Sequence, residues 1–317
     1  MSQSSTLEME NSPSMERTEH VDGITPRRRR VQPLPYLLLV PATAALVLML
    51  GYPIVRLLTL SLQEFGLKQQ FGAAADWVGL RNFREILHDP EFWAVLRRTI
   101  AFCAVNVVLT ISLGMAVALL LQRLGKGMRL MTMIGLMLAW SMPALTSTVI
   151  WQWIFDTQYG IANWVLGRQG QSWLSNPLTF YFVATIIVVW MGIPFVAFTL
   201  YAGLTQIPEE RMEAAAIDGA GAWQRFRDIV VPALKPILLI LTSLSVLWDF
   251  RVFTQVYVLQ RAGGITRDTN VLGVYAYRIS IGANQFDKGA AVAIVMVGIT
   301  LLVTVLYLRS MTRQEEL

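Results

Sequence analysis

Six long apolar stretches constrain the fold of this 317-residue chain more than any other feature. Each is as long as the roughly 20 residues that a helix needs to cross a bilayer. Hydrophobic residues make up 55% of the chain and charged residues only 15%, a balance that is rare in soluble domains. The sequence therefore predicts an all-α integral membrane protein with six transmembrane helices, at residues 34–62, 96–121, 128–154, 179–203, 236–259 and 289–309.

The distribution of Lys and Arg predicts how these spans are oriented. Residues 1–33 are predicted to be a disordered tail, and the run Arg27–Arg30 places it in the cytoplasm, because cytoplasmic flanks carry excess positive charge. We then expect an extracytoplasmic loop at 63–94, a transmembrane core at 95–309 and a cytoplasmic C-terminus at 310–317, in a bacterial plasma membrane with lipid around the spans. Some cations depart from the rule and fall on the predicted outer side: Arg97, Arg98, Arg261, Arg267 and Arg278.

Several chemistries are excluded by residues that the sequence lacks. The only histidines, His20 and His88, lie outside the apolar stretches, so neither a metal site nor an intramembrane Ser–His hydrolase is predicted. The single cysteine, Cys103, allows no intrachain disulfide. No phosphate-binding loop is present, and no basic stripe recurs that would indicate nucleic-acid binding. The chain is therefore predicted to be non-catalytic and without a cofactor, and to draw energy from another polypeptide or from an ion gradient.

A polar segment at 204–235 interrupts the apolar pattern between the fourth and fifth spans. Pro208 followed by two glutamates favours the start of a helix, and Gly219 favours its end. A second helix is predicted from Ala222 to Val230, ended by Pro232. An amphipathic helix resting on lipid headgroups is the alternative, but the first helix is acidic and rich in alanine, unlike most interfacial helices.

The same segment carries a resemblance to a known family. Glu213-Ala214-Ala215, then Gly219, Ile229 and Pro232 at the appropriate spacings, resembles the EAA motif of permease subunits in binding-protein-dependent ABC importers. Val231 departs mildly from the leucine of the family pattern. Within the same segment, the run Ile217-Asp218-Gly219-Ala220 resembles the sugar-importer branch of this family. The resemblance is to subunits of the maltose and glycerol-phosphate type, which have the type I importer fold.

That resemblance implies a role and a set of partners. The helix–turn–helix would be a coupling element that docks in a groove on a separate ATPase subunit, which alone binds ATP and Mg²⁺. Glu213 would make a polar contact there, Ala214 and Ala215 would allow close approach, and Gly219 would set the turn, with Asp218, Ile229 and Pro232 completing the motif. The chain would work with a second permease, two ATPase copies and an extracytoplasmic sugar-binding protein.

The fifth predicted span contains the candidate substrate path. On an unbroken helix Asp249 and Arg251 point about 160° apart and cannot pair, whereas Phe250, Phe253 and Tyr257 form an aromatic stripe. With Trp248, these side chains suit the apolar faces and hydroxyl edges of a sugar, or equally they pack against a partner subunit. We also expect Pro143, and Gly192 with Pro194, to kink or loosen their helices.

The sequence thus predicts a subunit of an ATP-driven carbohydrate importer. Residues 272–297 are most similar to permeases for oligosaccharides of the cellobiose or chitobiose type. The alternative is a stand-alone ion-coupled secondary transporter, which the absence of an internal repeat disfavours.

Overall fold

A computed structural model describes residues 33–315, so residues 1–32 of the predicted disordered tail, with the Arg27–Arg30 run, lie outside the described residues. The chain divides into two units at Gly51. The described part of the first unit is a helix, α1 (Pro33–Leu46), which contains Pro41 and is followed by a π-helical turn at Val47–Gly51.

The second unit is almost entirely helical. Its two short strands, β1 (Gln63–Glu64) and β2 (Asp76–Trp77), pair antiparallel. Its helices are α2 (Tyr52–Ser61), α3 (Leu67–Gln70), α4 (Arg81–His88), α5 (Pro90–Arg123), α6 (Lys126–Ser141), α7 (Ala144–Ile154), α8 (Ile161–Leu166), α9 (Pro177–Leu204), α10 (Glu209–Ile217), α11 (Ala222–Arg225), α12 (Val231–Asp249), α13 (Thr254–Arg261), α14 (Thr266–Thr269), α15 (Leu272–Tyr277) and α16 (Phe286–Glu315). Two further π-helical turns lie at Phe226–Val230 and Arg278–Gly282.

The fold class predicted from the sequence is confirmed. Within the described residues, five helical stretches are long and apolar enough to cross a membrane, and the bent pair α6–α7 raises the number to six. The bend between α6 and α7 is 103° and falls at Met142 and Pro143, where the proline cannot donate a helical hydrogen bond. By contrast, α9 continues as one helix through Gly192 and Pro194.

The fifth span differs from its prediction at both ends. The second polar helix does not end at Pro232, because a π-helical turn carries the chain from α11 directly into α12. At the other end, α12 stops at Asp249 and α13 begins only at Thr254, so the expected unbroken helix over 236–259 is wrong.

Close packing of α5 against α9 forms the centre of the second unit. Gly192 lies against Thr110, and a Cβ atom there would come within 2.8 Å of the threonine methyl group. Gly114 lies against Val196, and a Cβ atom there would come within 2.5 Å of the valine Cγ1. Such small residues let membrane helices approach closely, so that dispersion contacts replace the hydrophobic effect that lipid cannot supply.

Replacing Gly114 with alanine is therefore expected to destabilise the protein. The added methyl overlaps a packed valine, which typically costs ~1–3 kcal/mol in a tight core. A fall in the midpoint of thermal unfolding of the detergent-purified protein would show it. Gly298→Ala is the matched control, because a Cβ atom at that helical position meets nothing within 4 Å. An equal midpoint in both variants would contradict the packing account.

The loop after α2 is tied to the start of α16 by polar contacts. The backbone N–H of Phe65 donates to Asp287, and Asp287 N–H donates back to the Phe65 carbonyl. Lys288 pairs with Glu85 of α4 at 2.9 Å, and this hydrogen bond lowers the pKa of the Glu85 carboxyl. These contacts fix α4 and the strand pair at one end of the last helix.

Candidate functional site

The polar segment folds as an elbow, the name used here for residues 209–230. Its first helix, α10, ends in a left-handed residue, since Gly219 has φ of +83°. The Gly219 N–H donates to the Ala216 carbonyl at 3.1 Å, and the Ala220 N–H donates to the Ala215 carbonyl at 2.9 Å. This pair of bonds is the Schellman arrangement, which satisfies carbonyls at a helix end and favours glycine. The turn predicted at Gly219 is thereby confirmed.

The residues of the EAA motif gather at this turn. Ala215, Asp218, Gly219 and Ile229 line one cavity of about 300 Å³ between the two arms of the elbow. Glu213 and Ala214 lie on the exposed surface of α10, and Glu213 forms no ion pair within the described residues. The motif thus forms one accessible surface rather than part of the buried core.

Ile217 belongs to the same surface and was missed by the sequence reasoning. Its side chain is 86% exposed in the isolated chain, and Trp223 across the turn is 71% exposed. An exposed isoleucine at the end of a short polar helix favours contact with another protein. The available signal was the isoleucine directly before Asp218 in an otherwise small and polar helix.

A π-helical turn links the elbow to the membrane core. The Val231 N–H donates to the Phe226 carbonyl, five residues earlier. This longer step lets the helix absorb Pro232, which has no N–H to donate. Val230, at the end of this turn, and Leu234 of α12 are buried against Leu200 and Leu204 of α9. The elbow is therefore a continuation of α12 that is packed onto α9.

A row of aromatic rings begins near the end of α12. Trp248 meets Phe195 of α9 edge to face at 5.1 Å between ring centroids. Phe195 in turn stacks on Trp140 of α6 at 6.0 Å. Trp248 and Trp140 keep about half of their surface exposed, at 49% and 52%. Three spans thus contribute to one accessible aromatic surface, of which the sequence predicted only Trp248.

A second aromatic group lies beyond the break in the fifth span. Phe253 and Tyr257 stack in parallel at 5.2 Å, and Tyr277 packs edge to face on both rings. Arg261 donates to the Tyr257 hydroxyl at 3.3 Å. A cavity of about 240 Å³ is lined by Tyr257, Tyr277, Arg261 and Arg278. Tyr277 comes from α15, so only the tertiary fold brings it here.

Phe250 does not belong to the predicted aromatic stripe. It is buried in a separate apolar cluster with Leu272 and Tyr275, because the chain leaves the helix directly after Asp249. The stripe required an unbroken helix, and the break places Phe253 directly before α13 and Tyr257 on it. Of the three predicted rings, the structure brings together only Phe253 and Tyr257.

The two charged residues of this segment lie in different surroundings. Asp249 Oδ2 is buried and has no hydrogen-bond partner, whereas Arg251 is exposed. The two do not pair with each other, as predicted. Asn106 on α5 is fully buried, and neither polar atom of its amide group has a hydrogen-bond partner. It lies one helical turn from Cys103, and the Cys103 thiol contacts the Val246 carbonyl of α12 at 3.7 Å. Unpaired buried polar groups are costly, so they favour a site that binds water or a polar ligand.

Comparison with known proteins identifies the class to which this fold belongs. Residues 110–315 match the family described as the inner membrane component of binding-protein-dependent transport systems. The chain therefore belongs to that family, and the predicted ABC-importer permease, which is a multi-pass membrane protein, is confirmed.

Particular relatives cover nearly the whole chain. The diacetylchitobiose uptake system permease protein DasB of Streptomyces coelicolor is 45% identical over 89% of this chain and 88% of its own length. The trehalose/maltose transport system permease protein MalF of Thermococcus litoralis is 32% identical over 87% of this chain and 92% of its own. A crystal structure of a bacterial ABC transporter for the polysaccharide alginate superposes with a TM-score of 0.75 at 18% identity, over 89% of this chain and 95% of that one, which supports the fold.

Proposed function

We propose that this chain is one of two permease subunits of an ATP-driven importer for a short oligosaccharide, with an N-acetylated disaccharide as the leading candidate. The observation that carries the substrate class is the 45% identity to a diacetylchitobiose uptake permease over 89% of the chain. The accessible aromatic groups around Trp248 and Tyr257 support it, because sugar rings present apolar faces that stack on aromatic side chains.

The chain supplies the path, and a separate ATPase supplies the energy. We assign the elbow as the surface that docks on this ATPase, with Glu213 and Ile217 exposed to it. Because the elbow is continuous with α12 and packed on α9, displacement of the elbow moves the helices that carry Trp248 and Phe195. ATP binding and release on the partner would thereby switch the access of the aromatic surface from one side of the membrane to the other.

The orientation follows from the same assignment. An elbow that meets a cytoplasmic ATPase lies inside the cell, which places both termini inside and the loop at 63–94 outside, in the inner membrane. A binding protein then delivers the sugar from the outer side, where Tyr257, Tyr277 and Arg261 line the outer cavity. From there the sugar passes to Trp248, Phe195 and the unpaired Asp249 carboxylate.

The proposal is tested by purifying the chain with its co-expressed partners and measuring ATP hydrolysis in nanodiscs. Diacetylchitobiose together with its binding protein is expected to stimulate hydrolysis, whereas maltose with the same binding protein is not. If maltose or trehalose stimulates hydrolysis and diacetylchitobiose does not, the substrate belongs to the class named for the Thermococcus relative and is not an N-acetylated disaccharide. Uptake by the chain without any ATPase would support the ion-coupled alternative.

Substitution of Phe253 and Tyr257 tests whether these two rings line the sugar path or only pack against their neighbours. Phe253→Ala and Tyr257→Ala are each expected to change the uptake rate about tenfold while the complex still assembles, since a contact aromatic typically contributes more than ~1 kcal/mol to binding. Initial rates of labelled sugar uptake into proteoliposomes give the result. Phe182→Ala is the control, because this ring stacks on Trp173 and belongs to neither aromatic group. Unchanged uptake kinetics in both variants would leave the pair a packing role only.

A further inference from the structure

A large groove separates the elbow from α5. It has a volume of about 580 Å³ and is lined along one side by α5 and along the other by both arms of the elbow. Its walls are mostly apolar and include Met115, Ala116, Leu119, Met212, Phe226 and Val230. Neither the aromatic groups around Trp248 and Tyr257 nor the exposed Glu213 and Ile217 are among the residues that line this groove.

The charged residues that line the groove are all positive. Arg123 and Arg225 line it from opposite sides, and no carboxylate is among its lining residues within the described chain. Neither arginine forms an ion pair with a described residue, and the Nε atom of Arg225 is buried without a hydrogen-bond partner. A guanidinium left unpaired beside an apolar groove is complementary to an anionic group.

The length of the groove and the position of its charged residues match one leaflet of a bilayer. Ser112 marks one end on α5, and Gln122 with Arg123 marks the other, which is a distance of about 16 Å along the helix. One leaflet of a bilayer core is about 15 Å thick. The exposed Trp223 ring also lines the groove, and amphipathic aromatic side chains favour the headgroup level of a membrane.

We propose that an anionic phospholipid of the inner leaflet occupies this groove, with its phosphate between Arg123 and Arg225 and an acyl chain along α5. Basic pockets between membrane helices on the cytoplasmic side bind such headgroups. The lipid bridges α5 and the elbow, so it sets how firmly the elbow is held against the core. The orientation rests on the proposed function, but binding of lipid does not depend on transport.

Native mass spectrometry of the assembled complex tests this directly. After extraction from membranes that contain phosphatidylglycerol, the wild-type complex is expected to retain this lipid in preference to phosphatidylcholine. Arg123→Gln and Arg225→Gln should each reduce the retained fraction about fivefold. Arg225→Lys keeps the charge and should retain most of the lipid.

A matched control lies two residues away. Arg227 is exposed, pairs with Asp228 and does not line the groove, so Arg227→Gln should leave lipid retention unchanged. Ala116→Phe fills the apolar part without touching a charge and should also displace the lipid. Equal retention in wild type, both glutamine variants and Ala116→Phe would overturn the proposal, as would a cross-link showing that a partner subunit fills the groove. Either result leaves sugar-stimulated ATP hydrolysis untouched, so the two proposals fail separately.

Discussion

Replacing Glu213 by lysine is expected to lower ATP-driven uptake at least about tenfold while the protein stays in the membrane, because reversed charge at a complementary interface costs several kcal/mol. The carboxylate is exposed on the surface of α10 and makes no ion pair within the described residues, so its replacement should not affect folding. Uptake of labelled sugar into proteoliposomes and co-purification of the ATPase are the two measurements. We expect both to fall together.

Arg211→Glu provides the matched control for this charge reversal. It lies two residues before Glu213 on α10, which places it about 160° away around the helix. An equal charge change on that opposite face should leave ATPase association near the wild-type level. Because the two variants shift the charge of the loop in opposite directions, an equal loss of the ATPase in both would show that any charge reversal on α10 disrupts docking. Full uptake and ATPase association in Glu213→Lys would remove the coupling role of the motif.

Replacing Trp248 by alanine is expected to reduce sugar uptake about tenfold or more, with assembly and basal ATP hydrolysis retained. The ring is half-exposed and contacts Phe195, so its loss removes a face on which a sugar can stack. It also removes one of the three rings that α12, α9 and α6 contribute to the aromatic surface. A contact aromatic of this kind typically contributes ~1–2 kcal/mol or more to binding. The dependence of initial uptake rate on the concentration of loaded binding protein gives the result.

Two further variants decide what the tryptophan does. Trp248→Phe keeps an aromatic face and should recover most of the uptake. Trp153→Ala removes a ring that is 58% exposed on α7 and lies outside both aromatic groups, so it should behave as wild type. Equal losses in Trp248→Ala and Trp153→Ala would indicate a general requirement for exposed tryptophan in membrane insertion, and would contradict a specific role in the path.

Features set by local chemistry were predictable from the sequence. The apolar stretches predicted the spans, because their length against the bilayer is a property of each segment alone. The turn at Gly219 was predictable for the same reason, since a left-handed helix end favours glycine whatever surrounds it. Pro143 likewise marks the bend between α6 and α7.

Features set by distant contacts were not predictable in the same way. Proline usually ends a helix, but Pro232 is accommodated by a π-helical turn whose flanking residues are buried against α9. The break after Asp249 carries no strong breaker residue, and it becomes evident only from the burial of Phe250 beside Leu272. The partners of Trp248 and Tyr257 come from other spans and loops, so a single segment could not reveal them.

Uphill sugar uptake by defined proteoliposomes tests the central claim most directly. Vesicles with both permeases, the ATPase and the loaded binding protein are expected to accumulate sugar only when ATP is supplied to the side that carries the elbow, and vesicles with this chain alone are expected to accumulate none. Accumulation by the chain alone, driven by an imposed proton or sodium gradient, would contradict the account.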